Sequence, residues 1–267
     1  KGLSTCVAQH VNGASTSTLA NCVNRHIVRS LCTMSDPSQT PSILAIDTAT
    51  NLCSVALVSS SEIKEIQRDI PRAHNQHILA MVDEVLEGRT LRDAVSVIAC
   101  GVGPGSFTGI RVSVGVAQGL GWSLELPIYP FCSLAAQALA GSNNESHWIL
   151  STIDAQIGQV YWAWFEFQAG TVRPLTAPAI TRVADITVPS VTLEATRDNS
   201  PDLIVGDAAD VVRREVKAFA PCQTASHIRP QPSRSALCFL DNYDAQKLIK
   251  AQELEPRYVQ QDIGWKK

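Results

Sequence analysis

The sequence lacks long apolar runs. Nowhere in its 267 residues does an unbroken apolar stretch approach the roughly 20 residues of a membrane-spanning helix. The amino-terminal region also has no continuous apolar core of the kind that a secretory signal carries. These absences argue against a membrane or secreted protein, so we expect a soluble, cytoplasmic chain with no membrane partner.

Positive charge is scarce. The formal net charge is −3, and because residues 1–33 hold three basic side chains and no acidic one, residues 34–267 carry −6. With that net charge, residues 34–267 lack the extended basic surface of a protein that binds nucleic acid by itself. With 45% hydrophobic and 18% charged residues, the composition is that of a globular protein of one large or two small domains.

Paired cysteine spacings are missing as well. Eight cysteines stand at positions 6, 22, 32, 53, 100, 132, 222 and 238, and no two form a Cys-x-x-Cys or similar clamp. A chain of this length can fill a hydrophobic core without disulfides. We therefore expect most of these cysteines to be reduced core residues.

Residues 1–33 differ from the rest of the chain. They are rich in Ser, Thr, Asn and Cys, lack acidic residues and have no hydrophobic period. The first methionine is Met34, which we take as the native start, and an organellar transit peptide is the alternative. Residues 1–41 are accordingly predicted to be a disordered or non-native extension.

A strand, an aspartate, a turn and a second strand occur twice. Ser42–Asp47 and Leu52–Val58 form the first such unit, and Trp148–Asp154 with Gln159–Phe167 forms the second. This recurrence predicts an α/β protein with two related lobes.

The polar, glycine-containing stretch 141–146 marks the predicted boundary between the lobes. It separates residues 42–140 from residues 147–267, and a return of the final segment to the first lobe is left open. Further helices are predicted over residues 207–219 and 233–252.

Two stretches of the first lobe have helical features. From Asn75 to Gly88, apolar residues recur at i, i+3, i+4 and i+7 and a glycine follows, which predicts a helix. Ile110–Leu124 is ambiguous, because its alternation favours a strand whereas its length and small residues favour a helix. As a helix it would have a groove at Gly115 and Gly119 and would be either enclosed or covered by a partner.

A glycine-rich loop precedes that ambiguous stretch, with the sequence Gly103-Pro104-Gly105-Ser106-Phe107-Thr108-Gly109. Such a loop can offer backbone amides to a phosphate, yet this one lacks the Lys-Ser/Thr pair of a P-loop and the Gly-x-Ser-x-Gly of a hydrolase. We favour a tight structural turn that lets another backbone come close.

Four polar side chains carry weaker chemical signals. Asp47 and Asp154 each end a strand before a turn, where a carboxylate either orients a metal or phosphate or caps turn amides. His74 and His77 flank the start of the first helix, but no third ligand accompanies them. The sequence therefore predicts no metal site.

Three groups of residues together resemble the TsaB family, also called YeaZ, of bacterial proteins in threonylcarbamoyladenosine synthesis on tRNA. They are Ile43–Thr50 with Cys53–Leu57, the loop Gly103–Arg111, and Ile153–Ala155 with Gly158–Ala163. The similarity runs from about Ile43 to the end of the chain and leaves residues 1–33 unmatched. It implies the two-lobed actin-like ATPase (ASKHA, ribonuclease H-like) fold with a duplicated mixed unit, and a helix for Ile110–Leu124.

The resemblance also implies functional surfaces. The two first-lobe helices would contact a partner, with His74, Ile78, Leu79, Met81, Val82, Val85, Arg111, Gly115 and Gly119 as interface residues. The Gly103–Gly109 loop would be structural, Asp47 and Thr48 would be remnants of a phosphate loop, and no residue would be catalytic. One departure is Val102, where some members of the family place arginine.

By resemblance, the chain is expected to be a noncatalytic scaffold for a TsaD-type subunit that transfers threonylcarbamoyl to the adenosine beside the tRNA anticodon. A TsaE-type ATPase is the second expected partner, the chain would be a homodimer when alone, and tRNA would bind only through the complex. No cofactor is expected to bind firmly, although ATP or ADP at the partner interface is left open. An enzyme of the same fold, either metallopeptidase-like or a small-molecule kinase or ATPase, is the alternative.

Overall fold

The computed structural model describes residues 41–142, 147–189 and 200–259, and these described residues belong to one compact unit. Residues 1–40, where no fold is predicted, lie outside the described residues. Among the described helices, none is both long enough and apolar enough to cross a membrane.

Five strands form the first sheet, in the order β3-β2-β1-β4-β5. They are β1 (Ile43–Asp47), β2 (Leu52–Val58), β3 (Ile63–Asp69), β4 (Val97–Gly101) and β5 (Ile128–Phe131). β1 is antiparallel to β2 and parallel to β4, so the sheet is mixed. The helices of this half are α1 (His74–Leu86), α2 (Leu91–Ala94), α3 (Phe107–Leu124) and α4 (Ser133–Gly141).

The second sheet repeats this plan. Its main order is β11-β10-β6-β7-β8, and β9 also pairs with β7. The strands are β6 (His147–Gln156), β7 (Gln159–Gln168), β8 (Thr171–Pro174), β9 (Ala179–Arg182), β10 (Leu203–Val205) and β11 (Gln223–Ala225), with helices α5 (Ala209–Glu215) and α6 (Pro232–Asp241). The β6–β7 hairpin and the parallel β6–β10 pair match the β1–β2 hairpin and the β1–β4 pair, which confirms the predicted duplication.

The ambiguous stretch of the first lobe is helical. In α3 the buried positions include Ile110, Val114, Ala117 and Gly121, which follow a helical rather than a two-residue period. The hydroxyl of Ser106 accepts a hydrogen bond from the Gly109 amide at 3.3 Å and caps the first turn.

Two second-lobe helices are shorter than predicted. α5 ends at Glu215 and a 3₁₀ turn, Lys217–Phe219, follows it. α6 ends at Asp241 instead of continuing to residue 252, and Asp244 then accepts a hydrogen bond from the Gln246 amide at 2.9 Å. A local turn therefore replaces the helix, because Asp bonds readily to nearby backbone amides.

The carboxyl-terminal part of the chain returns to the first sheet. α6 packs against β1, β2 and β4, and the ring of Phe239 stacks on Tyr129 at 4.2 Å. The next described segment, residues 248–259, is called the C-terminal strap here, and its Ile249 pairs with Ile128 of β5. The lobes are thus interlocked, with the end of the chain covering part of the first lobe.

Candidate functional site

The glycine loop packs directly onto the turn after β1. Thr48 donates its hydroxyl proton to the Gly109 carbonyl at 2.7 Å, and the Ser106 amide donates to the Ala49 carbonyl at 2.7 Å. A Cβ atom at Gly105 would overlap the Ala49 backbone, and one at Gly109 would overlap the Thr48 carbonyl. The glycines therefore permit close backbone contact, as predicted. This contact engages the Thr48 hydroxyl and the Ser106 amide, which are donors that a phosphate would otherwise need.

Asp47 is buried beneath this contact. One of its oxygens accepts the Ala49 amide at 2.8 Å and the other accepts the Ser133 hydroxyl at 2.7 Å. Burial raises the pKa of Asp47 to about 6, although these hydrogen bonds act in the opposite direction. A Cβ atom at Gly101 would overlap the Asp47 carboxylate, so glycine is required on the neighbouring strand. Both oxygens are engaged within the chain.

A polar cleft of 340 Å³ lies between the two sheets. Its walls include the turn after β1, the first residues of α3 and the end of β6, and Asp154 and Asp207 supply carboxylates. The Asp154 amide donates to Asp207 at 2.7 Å, and no Lys or Arg is among the lining residues. Burial raises the pKa of Asp207, and Arg229 lies 3.9 Å from its other oxygen. This acidic lining disfavours a polyphosphate.

The predicted histidine pair does not form a ligand set. His74 is buried, and its Nε2 lies 3.1 Å from the Asn51 carbonyl, whereas His77 is partly exposed. Within residues 41–142, 147–189 and 200–259, no three His, Cys, Asp or Glu side chains are placed to hold a metal.

The predicted interface of α1 needs correction. Ile78, Met81, Val82 and Val85 are at most 2% exposed, because they pack in the core between α1 and the first sheet. His74 is buried as well. These five side chains contact their own chain, so they cannot form the surface that the resemblance implied. Of the predicted α1 residues, Leu79 remains at the surface, with 55% of its area exposed.

The predicted α3 residues do lie on the outside. Arg111, Gly115 and Gly119 are exposed, and a Cβ atom at either glycine would meet no other atom within 4 Å. Trp122 continues the same helical face and is 63% exposed. The α3 face is the name used below for Arg111, Gly115, Gly119 and Trp122.

Three exposed aromatic residues were not singled out as interface residues from the sequence. Trp122 could have been found, because it follows Gly115 and Gly119 at helical spacing. Phe107, which is 56% exposed, was assigned only to the loop. Tyr258 joins this region from the C-terminal strap, and no local sequence pattern indicates that contact.

Comparisons with known proteins point in one direction. A family model described as "TsaD: tRNA N6-adenosine threonylcarbamoyltransferase" matches residues 61–217. The tRNA threonylcarbamoyladenosine biosynthesis protein TsaB of Escherichia coli K12 is 33% identical over 236 residues, which cover 84% of this chain and 97% of that protein. The Bacillus subtilis protein of the same name is 28% identical over 202 residues, which cover 73% of this chain and 85% of that protein.

Solved structures agree with the sequence comparisons. The structure of YeaZ from Pseudomonas aeruginosa aligns with a TM-score of 0.68 and 27% identity, and the alignment covers 82% of this chain and all of that one. A second Pseudomonas aeruginosa structure, described as similar to peptidase YEAZ, aligns with a TM-score of 0.70 and 28% identity over the same shares.

Proposed function

Because the chain belongs to the TsaB family of tRNA threonylcarbamoyladenosine biosynthesis proteins, we propose that it is a noncatalytic subunit that pairs with a TsaD-type transferase. The fold is the predicted actin-like one, with two related lobes. The observation that carries the proposal is the α3 face, an exposed helical surface with two glycines and a tryptophan.

The composition of this face supports a protein partner. Trp122 of this face and Leu79 of the neighbouring helix α1 expose large apolar side chains, and the open space at Gly115 and Gly119 would let a partner helix approach closely. Aromatic residues are enriched in protein interfaces, where their burial contributes much of the binding energy. Homodimer and heterodimer could use the same face, and we propose that the TsaD-type subunit replaces the second copy.

The centre of the molecule supports a noncatalytic role. The glycine loop is packed on the turn after β1, both oxygens of Asp47 are engaged within the chain, and the cleft is lined by carboxylates. An active kinase of this kind would need groups that bind phosphate and a metal ion. In our proposal the TsaD-type partner supplies the groups that bind phosphate and metal. Any ATP or ADP binds at the interface between the two subunits.

The remaining partners are the ones that the family resemblance implies. We propose that a TsaE-type ATPase joins the pair and that tRNA binds through the assembled complex, in the cytoplasm. The charge of −6 on residues 34–267 supports this arrangement, since tRNA binding needs basic surface that this body lacks.

Reconstitution tests the proposal. Purified TsaD-type and TsaE-type proteins, the adenylate-forming enzyme, threonine, bicarbonate, ATP and unmodified tRNA are combined with or without this chain. Mass spectrometry then measures the modified nucleoside. We expect formation to require the chain and to be lost with Gly115→Leu, which blocks the α3 face, but not with Arg213→Leu on the exposed side of α5.

Three results would contradict the proposal. Modification that is unchanged when the chain is omitted would remove the scaffold role. ATP hydrolysis by the repurified chain alone, or one tightly bound metal ion per chain, would favour the alternative of an enzyme with this fold.

A further inference from the structure

Arg111 is held by two aromatic rings at the amino-terminal end of the α3 face. Its guanidinium carbon lies 3.8 Å from the centre of the Phe107 ring and 5.6 Å from that of Tyr258. Its Nε donates a hydrogen bond to the Tyr258 hydroxyl at 2.6 Å, and the two rings are 5.2 Å apart. The arginine is exposed, and the two rings and the hydrogen bond restrict the orientation of its side chain.

This fixed cation has no carboxylate partner in the described part of the chain. Other arginines at or near the surface do form ion pairs, namely Arg68 with Glu84, Arg89 with Glu62 and Arg173 with Glu166. Arg111 instead retains the two terminal nitrogens of its guanidinium group for an external acceptor, and a guanidinium binds a carboxylate well with this edge. Because the side chain is already ordered, binding loses little further conformational entropy.

A pocket lined by a second arginine, Arg257, lies beside the two rings that contact Arg111. The pocket measures 210 Å³, its wall includes the rings of Phe107, Tyr161 and Tyr258, and Arg257 also lines it. Arg257 forms no ion pair with a described residue either. Arg257 thus lines an opening large enough for a side chain, Arg111 contacts two rings of its wall, and neither arginine forms an ion pair with a described residue.

The C-terminal strap places these groups. It runs antiparallel to α3: the Leu254 carbonyl accepts from Gln118, and four residues later Tyr258 reaches Arg111, about two helical turns nearer the start of α3. The Arg257 amide donates to the Val102 carbonyl at 2.8 Å, which fixes the strap beside the glycine loop. The arrangement therefore depends on the end of the chain as well as on α3.

We propose that Arg111, Arg257 and the Phe107 and Tyr258 rings form an anchor site for an acidic side chain of the TsaD-type subunit. This inference rests on the proposed function and deepens it, since it assigns charge recognition to one end of the α3 face. Arg111 would contact the partner carboxylate, and Tyr258 would be a positioning residue that acts through Arg111.

The position and charge of the site favour this occupant. Arg111 belongs to the same helical face as Gly115 and Gly119, so a partner helix on that face would extend to the anchor. α3 contains no acidic residue, so a second copy that packs its own α3 on this helix would bring no carboxylate of α3 to the anchor. A tRNA ligand is disfavoured because the two arginines stand on a body of net negative charge.

Binding kinetics of the full chain with an immobilised TsaD-type subunit test the proposal. We expect Arg111→Ala to weaken binding by about 30-fold and to reduce the dependence of the association rate on salt. Tyr258→Phe keeps the charge and removes the hydroxyl, so it should raise the dissociation rate about fivefold and leave the salt dependence unchanged. Arg214→Ala, at an exposed position of α5, is the matched control and should bind like the unmodified chain.

The outcomes separate this inference from the proposed function. If Gly115→Leu abolishes binding while Arg111→Ala binds like the unmodified chain, the anchor is wrong and the scaffold role stands. If the unmodified chain does not bind the TsaD-type subunit, both fail. An Arg111→Ala chain that loses tRNA affinity but keeps its protein partner, or loses only self-association by sedimentation, would also overturn the anchor. Melting temperatures within 2 °C of the unmodified chain would exclude unfolding as the cause, because a loss of about 1 kcal/mol would already move them by about 2–4 °C.

Discussion

At the scale of the residue, two glycines of α3 have opposite surroundings. A Cβ atom at Gly109 would overlap the Thr48 carbonyl, whereas one at Gly115 would meet nothing within 4 Å. We expect Gly109→Ala to lower the free energy of unfolding by about 3 kcal/mol through overpacking. Gly115→Ala should raise it by about 0.5–1 kcal/mol, because alanine restricts the unfolded chain.

Urea denaturation of the two variants measures this difference, and partner binding adds a second readout. If the α3 face receives a closely packed helix, Gly115→Ala should weaken binding even though the monomer is more stable. Equal losses of stability in both variants would mean that Gly109 and Gly115 are equally enclosed, which would contradict the open surface at Gly115.

Asp47 predicts a stability that depends on pH. Its burial raises the pKa of the carboxyl from the ordinary aspartate value of 3.8 to about 6 in the folded chain, so the folded state binds more protons between these values. Ionised Asp47 therefore destabilises the fold increasingly as the pH rises from about 4 to about 6, and by a constant amount above that. Asp47→Asn should raise the free energy of unfolding at pH 7.5 by up to about 3 kcal/mol.

The gain from Asp47→Asn should vanish near pH 4, where the carboxyl is protonated in the folded chain. Chemical denaturation of both proteins at several pH values measures the difference directly. A variant that is less stable at every pH would mean that the hydrogen bonds from Ala49 and Ser133 to the carboxylate outweigh its burial.

At the scale of the element, α1 has one face in the core and one at the surface. Ile78 is 1% exposed and Leu79 is 55% exposed, although they are adjacent in sequence. We expect Ile78→Ala to cost about 2–5 kcal/mol of stability, since it leaves a cavity in the first core. Leu79→Ala should change stability by less than about 0.5 kcal/mol and should weaken partner binding instead.

Thermal unfolding and partner binding of the same two variants check this division. The prediction is wrong if Leu79→Ala unfolds as early as Ile78→Ala, or if it binds the TsaD-type subunit as well as the unmodified chain does. Such results would place the outer side of α1 outside the interface.

The apolar spacing of α1 predicts the helix but not whether its apolar side faces the core or a partner. Apolar residues at helical spacing predicted the helix, and the observed element, His74–Leu86, differs from the prediction by one or two residues at its ends. The family resemblance also implies a partner surface for these residues, which is wrong for the side chains that are buried in the core of their own chain. An apolar stripe has one appearance in sequence whether it faces a core or a partner, so burial decides between them.

At the scale of the whole molecule, α4 ties the two sheets together from one side of the helix. The Ser133 hydroxyl donates to Asp47 at the end of the first sheet, and one turn later the Gln137 amide nitrogen donates to the Thr152 carbonyl of the second at 2.9 Å. α6 adds a second tie, because the Ser233 hydroxyl donates to Glu65 of β3 at 2.7 Å. The Gln137 and Ser233 bonds cross between the lobes, and the Ser133 bond fixes α4 to the end of the first sheet.

We therefore expect the two lobes to unfold in one transition. Among the described tryptophans, the three of the second sheet are buried and Trp122 of α3 is 63% exposed, so the fluorescence change on unfolding comes mainly from the second sheet. Far-ultraviolet circular dichroism reports on both halves, so the midpoints should coincide. Gln137→Ala should lower both midpoints together, with a loss of about 3 kcal/mol from its unsatisfied partners. Gln76→Ala, at an exposed position of α1, is the control and should change little. Separate midpoints in the unmodified chain would mean that the lobes fold independently.

The sequence by itself determined the paired strands, the α1 helix, the duplicated hairpin and the family. These features depend on local periodicity, turn residues and short motifs, which are present in consecutive residues. The glycine loop belongs to the same group, since its glycines predicted a close backbone approach that the structure confirms at Gly105 and Gly109.

Only the tertiary structure decided which side of each helix is exposed and how the end of the chain is used. Tyr258 meets Arg111 across 147 positions of sequence, and Ser133 meets Asp47 across 86. Such contacts form where distant segments pack against each other, and their geometry follows from the whole core rather than from the pattern around either residue. Gly115 and Gly119 of the α3 face were indicated by the sequence, whereas the anchor depends on the long-range contact between Tyr258 and Arg111 and could not be derived from local sequence.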